Sequence, residues 1–275
     1  MNILDTTSDL RIYESLADIL AVREDDVRTF LLCNLQKYIN YWEYQIDLQP
    51  LYKEFGLDEE FALEGVTIHH VTTRLGEVKK ETFNIDNLEK LLLGQNTVTE
   101  FFKEYEIDFK REQGISVYYK GKKKDKYEGY ADGRLRNRLD NLNDSCVNGF
   151  LFAEWMDNSY IGLTGMPEIF SDLLSSLDRR DIQSEYFKNM KCYMATIDIS
   201  IEDFIFDDYT HLKSPSEKTR LILQYVIAYL CFKFSKDEYY PFKNTIIRLP
   251  DNKNVKSSEI RMLRQIFDYK EIFKY

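Results

Sequence analysis

Two of the chain's three histidines, His69 and His70, are neighbours in the segment IHHVTTR, and the third, His211, is far away in THLKSPS. The apolar and β-branched residues around the pair predict a strand, in which successive side chains face opposite ways. His70 then shares its side with Thr72, and Thr73 lies opposite. An imidazole beside a hydroxyl can hold the sugar hydroxyls of a nucleotide by directional hydrogen bonds. A histidine satisfied inside a half-buried strand accounts for the same residues. Arg74 follows with a guanidinium fork suited to gripping phosphate oxygens, or equally to solvating the strand end. Adjacent strand histidines do not make a two-ligand metal site, and Asp132, Asp140, Asp144 and Asp157 form no ligand spacing with histidine, so no metal is expected.

These groups need a scaffold, and the sequence predicts a mixed one. Residues 1–60 read as a helical lead-in: Ser8 or Asp9 caps a first segment, and Leu31, Leu35, Tyr38, Ile39 and Trp42 recur near the helical period. Tyr38, Tyr41, Trp42 and Tyr44 could instead form an aromatic recognition surface. Pro50, Gly56 and an acidic run at 58–60 separate the lead-in from residues 61–275, which are expected to form a mixed α+β catalytic domain with a C-terminal extension. There FNIDNLEKLLLG predicts a short helix ended by Gly94, VTEFFKEYEIDF a helix handing over to a strand, and ISVYYKG a strand. Five lysines between 120 and 126 and glycines at 121, 129 and 133 mark a loop. RLRNRLDNL and IFSDLLSSL read as helices, and CYMATIDISIEDFIF as a strand or bent pair. Residues 221–234 suit a core helix, FKNTIIRLP a strand, and SSEIRMLRQIF a final helix opened by a serine cap.

Three segments together resemble the ADP-ribosyltransferase superfamily, in particular its histidine-tyrosine-glutamate branch. IHHVTTR resembles the first motif, ISVYYKG the second and LTGMPEIF the third, in the family's order and over roughly residues 66–203. Their key positions are evenly spaced, since 119 minus 70 and 168 minus 119 are both 49. The resemblance implies a split mixed β-sheet core and NAD as cofactor. It implies that His70 positions the nicotinamide-side ribose, with Thr72 and Arg74 as further cofactor contacts. Tyr119, or Tyr118 in the other register, would stack on nicotinamide. Glu168 would stabilise the positive charge that develops on the ribose and orient the acceptor. The chain lacks the Ser-Thr-Ser second-strand motif of the arginine-modifying branch, and a single glutamate stands at the third motif.

Composition bounds the rest. The 275 residues, with 44% apolar and 31% charged, allow one large or two modest domains and exclude wholesale disorder. A net charge of -10 argues against an extended nucleic-acid-binding surface while permitting a local basic groove. Cys33, Cys146, Cys192 and Cys231 are scattered, which predicts buried thiols in a reducing compartment. The first residues lack the order of a secretory signal, and no run approaches the length of a membrane span, so a cytoplasmic protein with no membrane partner is expected. The expected function is an NAD-dependent ADP-ribosyltransferase-like toxin or effector acting on an unidentified protein or nucleic-acid acceptor. NAD hydrolysis is a close variant, and a non-enzymatic interaction module in phage-host conflict or phage defence is the competing class. His70-Val71-Thr72 also has the His-x-Thr form of two-histidine phosphoesterases, but Lys213 occupies the place of the second threonine after His211.

Overall fold

A computed structural model describes residues 2–39, 46–141, 145–153, 165–235 and 244–266. In chain order the elements begin with β1 (Ile3–Leu4), α1 (Asp9–Leu20), α2 (Glu24–Ile39), α3 (Gln49–Phe55) and β2 (Gly65–Leu75). Next come α4 (Leu88–Leu93), α5 (Thr97–Glu104), β3 (Ile107–Arg111), β4 (Ile115–Tyr119), β5 (Lys122–Lys123), α6 (Tyr130–Asn141) and β6 (Asn148–Phe150). The chain continues through α7 (Glu168–Ser176), α8 (Asp181–Asn189), β7 (Met190–Ser200), β8 (Ile205–Phe206), α9 (Pro215–Ser235), β9 (Ile246–Arg248) and β10 (Ile260–Ile266). The mixed α and β composition expected from the sequence is present.

Seven strands form one sheet in the order β10-β7-β2-β6-β9-β8, with β1 added beside β2, and β3-β4-β5 form a second sheet. The long central pair β2 and β7 is antiparallel throughout, from Gly65 opposite Ser200 to Leu75 opposite Met190. The other edge of β2 is shared: β1 pairs in parallel at Gly65 and Val66, and β6 takes over at His69. Residues before position 60 therefore complete the sheet. Gly65 makes this junction possible, because a Cβ there would collide with the Ile199 carbonyl and sit 2.7 Å from Ile3 Cδ1. Gly65→Val is expected to cost about 1–3 kcal/mol by overpacking, read as a lowered urea midpoint at unchanged slope.

The two faces of β2 have different roles. Val66 and Ile68, with Ile197 and Ile199 opposite, join the large core cluster under α1, α2, α3 and α9. On the other face Val71 packs with Phe150, Cys192, Met194 and Ile266 in a small cluster. A separate cluster fills the space between the small sheet and helices α4 to α8, and it reaches the large sheet at Leu75. α9 is the expected core helix. Its buried Lys218 donates to the carbonyls of Ile201 at 2.9 Å and Phe204 at 2.6 Å, fixing the helix start to the turn after β7.

Several expectations hold in detail. Ser8 caps α1 through the Arg11 amide, and Gly94 ends α4. Pro50, read as part of a break, instead lies in the first turn of α3, where its missing N–H costs nothing, and Gly56 ends that helix at φ 66. The expected C-terminal helix at 257–267 is corrected: one turn of 3-10 helix at Ser257–Glu259 leads into strand β10. The bare edge of β7 offers backbone groups that need partners, and β10 supplies them. A register shift between Ile260 and Met262 leaves Arg261 outside the ladder, where it reaches Asp5 at 2.9 Å and Asp198 at 3.4 Å. Cys192 and Cys231 are buried as expected, but Cys33 is exposed on α2 and Cys146 half-buried. Tyr38 is buried, so it belongs to the core; Tyr41, Trp42 and Tyr44 lie outside the described residues, as do Asp144 and Asp157. Among the described residues, no helix is long and apolar enough to cross a membrane.

Candidate functional site

Strand alternation puts His70, Thr72 and Arg74 on one side of β2, all three half-buried, just beyond the point where Val66 and Ile68 dip into the core. The Nδ1 of His70 is 2.6 Å from the Asn148 carbonyl. A carbonyl only accepts, so Nδ1 carries the proton. Burial pushes the His70 pKa down to about 4, against an opposing contribution from that hydrogen bond, so the ring is neutral at pH 7. Its Nε2 then presents a lone pair, the group that accepts a bond from a sugar hydroxyl.

Two residues on, Arg74 donates from Nη1 to the Thr72 hydroxyl at 2.5 Å and the Thr73 carbonyl at 3.0 Å, and from Nη2 to the Asn84 carbonyl at 3.1 Å. The Phe83 ring lies 4.9 Å from its guanidinium carbon. Among the described residues no carboxylate forms an ion pair with Arg74, and burial lowers its pKa. Three of its five N–H donors are occupied by neutral acceptors, and Nε and one Nη2 proton remain for an anion. Its direct partners are neutral acceptors and the Asp86 carboxylate acts on it only from beyond ion-pair range, so a largely desolvated cation of this kind gains from an incoming phosphate.

The second and third motifs lie elsewhere. Tyr118 and Tyr119 end β4 in the small sheet. Tyr118 is on its outer face, where its hydroxyl donates to Glu112 Oε1 at 2.7 Å and Lys110 Nζ sits 4.2 Å from the ring centre. The Tyr119 hydroxyl accepts from Arg179 Nη1 at 3.0 Å, and Asp181 holds that arginine in turn at 2.8 Å. The Tyr119 ring packs against the second core cluster.

Glu168 opens α7 directly after Pro167, so it begins a helix and not a strand. Its carboxylate is clamped by two arginines of α6: Arg134 Nη1 contacts one oxygen, and Arg138 Nη2 is 2.8 Å from the other. Arg134 also reaches Asp172 at 2.6 Å, one turn along α7. Asp172 is buried, and its pKa is raised by desolvation, with the Arg134 hydrogen bond working against that rise. His70, Tyr119 and Glu168 thus occupy three hydrogen-bonded neighbourhoods with no bond among them. The clamp was legible only as a spacing: positions 134 and 138 in RLRNRLDNL share a helix face. Arg179, the partner of Tyr119, had no sequence signal.

His69 has a different role from its neighbour. It is fully buried, and the Thr6 hydroxyl, which donates to the Thr67 carbonyl at 2.8 Å, stands 3.3 Å from Nε2. With its only proton committed, Thr6 accepts from Nε2–H, and Nδ1 accepts from Thr196 at 3.4 Å. This is a core histidine, its pKa driven down to about 3 by burial. His211 is exposed beside Tyr209. A cavity of about 380 Å³ lies apart from the β2 row, between Asp5, Arg11, Glu14, Asp18, Asp198 and Arg261. No group of three or more histidine, cysteine or carboxylate side chains suited to a metal occurs among the described residues. No family model, curated protein or solved structure matches this chain.

Proposed function

We propose that this chain binds NAD with its ribose and diphosphate along the β2 row and transfers ADP-ribose to a macromolecular acceptor. The bond between ribose C1 and nicotinamide breaks, the acceptor's nucleophilic atom bonds to C1 as it loses its proton, and nicotinamide leaves. Hydrolysis is the same reaction with water as acceptor. The observation that carries this reading is the half-buried Arg74, without a carboxylate partner among the described residues, two positions from a neutral histidine whose Nε2 faces away from its own hydrogen bond. The resemblance of the three motifs supplies the choice of NAD and the role of Glu168. On this reading Glu168 leaves the Arg134 and Arg138 clamp when substrate is bound.

A second reading, a non-enzymatic interaction module, is favoured by the same clamp and by the Arg179 bond to Tyr119, since both hold the second and third motif residues in local structural pairs. Turnover of labelled NAD by the purified chain, with and without cell extract, separates the two. Wild type is expected to label a macromolecule or release nicotinamide. Arg74→Met is expected to weaken NAD binding at least tenfold, and Glu168→Gln to lower turnover by about 10²–10³ with little loss of stability, because half-exposed ion pairs contribute at most about 1 kcal/mol. Unchanged turnover by Glu168→Gln would remove that residue from the chemistry. Absence of both NAD binding and turnover in wild type would leave the interaction module.

A further inference from the structure

The geometry points to a single-stranded nucleic-acid binding surface on the β4–β5 hairpin and the start of α6, separate from the β2 row. Residues 110–126 hold seven basic side chains, at 110, 111, 120, 122, 123, 124 and 126, against acids at 112 and 125, in a chain whose net charge is -10. Three of the seven are neutralised or engaged in the fold: Arg111 by Glu89, Lys123 by Glu112, and Lys124 by Asp132 at 3.7 Å. Lys110, Lys120, Lys122 and Lys126 are exposed and, among the described residues, have no carboxylate in ion-pair range. Their ammonium groups are available for phosphates.

Aromatic rings are interleaved with these cations. Lys110 lies over Tyr118, Lys120 over Tyr119, Lys124 over Tyr127 and Arg134 over Tyr130, at 4.2 to 5.2 Å. Tyr118 is engaged by Glu112, and Tyr119 by Arg179. Tyr130 is the free platform: it is 79% exposed, and the Arg134 guanidinium 4.7 Å from its centre covers one face only. Lys124 ties the hairpin to the start of α6. The Lys124 amide donates to the Val117 carbonyl at 2.9 Å, and its ammonium group bridges the Ser176 carbonyl at 3.0 Å and Asp132 in the first turn of α6.

An open tyrosine face stacks on any base whose own faces are free, which a duplex does not offer. The two-residue β5 is also too short to enter a major groove as a ribbon. Both facts select a single strand. The inference does not depend on the NAD reading, and its test uses no NAD.

Fluorescence anisotropy of labelled oligo-dT and oligo-U, each of about 20 nucleotides and so longer than the roughly 4–16-nucleotide sites of single-strand binders, is measured against the full chain at several salt concentrations, with a duplex of equal length alongside. Single strands are expected to bind at least tenfold more tightly than duplex, with log K falling by about 0.7 per phosphate contact for each decade of salt. Lys122→Glu with Lys126→Glu reduces that slope, while Tyr130→Ala weakens binding about tenfold at unchanged slope. Lys53→Glu, which changes the charge on α3 by as much as either lysine replacement alone, leaves affinity unaltered. Failure to bind at low salt, equal affinity for duplex, or equal weakening by Lys53→Glu would each overturn the assignment.

Discussion

Lowering the pH from 7 to 4 is expected to remove on the order of 3 kcal/mol of folding stability through the fully buried His69, and a similar or smaller amount through the half-buried His70. Both rings are neutral in the folded chain, with pKa values pressed by burial from the ordinary 6.5 to about 3 and about 4. The unfolded chain therefore binds more protons than the folded one below pH 6.5. Stability from these groups is complete above that value and drains away as pH falls through 6.5 towards 4. Asp172 opposes the trend, because burial raises its pKa and the folded state takes up its proton first. Two histidines outweigh it. Since whole domains are stable by about 5–15 kcal/mol, the urea midpoint at pH 4 should lie well below that at pH 7. Urea denaturation followed by circular dichroism at pH 7, 5.5 and 4 measures the loss. His69→Gln keeps an amide donor and acceptor between Thr6 and Thr196 but cannot titrate, so it should roughly halve the pH dependence. A slope unaffected by His69→Gln and by His70→Gln would refute the histidine origin.

Phe102→Ala should destabilise the chain by about 3–5 kcal/mol. The ring is fully buried and meets Phe101, Phe109 and Phe170 edge-on, with centroids 5.5, 6.0 and 5.1 Å away. It joins α5 to β3 and α7, so its loss leaves a cavity where three elements meet. The damage should be regional, because this cluster is separate from the one beneath the large sheet. Hydrogen exchange should accelerate first in β3, β4 and α5 to α8, ahead of β2 and β7. Phe187→Ala, removing a ring 43% exposed on α8, is the control and should change stability by less than about 1 kcal/mol. Equal loss of protection in β2 would show that the clusters unfold as one. The same variant is expected to impair nucleic-acid binding at the β4–β5 hairpin before it affects the β2 row, since the second cluster carries that hairpin.

The resemblance of the three motifs does not by itself assemble a site. Order and spacing along a chain constrain distance only weakly: α4 and α5 lie between β2 and the second motif, α6 follows before the third, and both of those motifs sit at a second core. Glu168 illustrates the point. Pro167 fixes its backbone for a helix start, where a carboxylate is favoured by the free amide groups, and two arginines four residues apart then take its charge.

What the sequence determined by itself was local. Period-two alternation placed β2 and the β7 region, and cap and breaker residues such as Ser8 and Gly94 set helix ends, because those signals act within a few residues. It also put His70, Thr72 and Arg74 on one face, a consequence of strand geometry alone. Tertiary structure decided the rest. IRMLRQI has apolar residues at helical spacing, yet it is a strand because the unpaired edge of β7 needed hydrogen-bond partners. The adjacent histidines are equivalent in sequence and different in the fold: His69 is sealed between Thr6 and Thr196, from distant parts of the chain, while His70 keeps a free nitrogen beside Asn148. Which charges would meet was equally a matter of packing, since the pairing of Glu168 with Arg134 and of Tyr119 with Arg179 joins residues 30 or more positions apart.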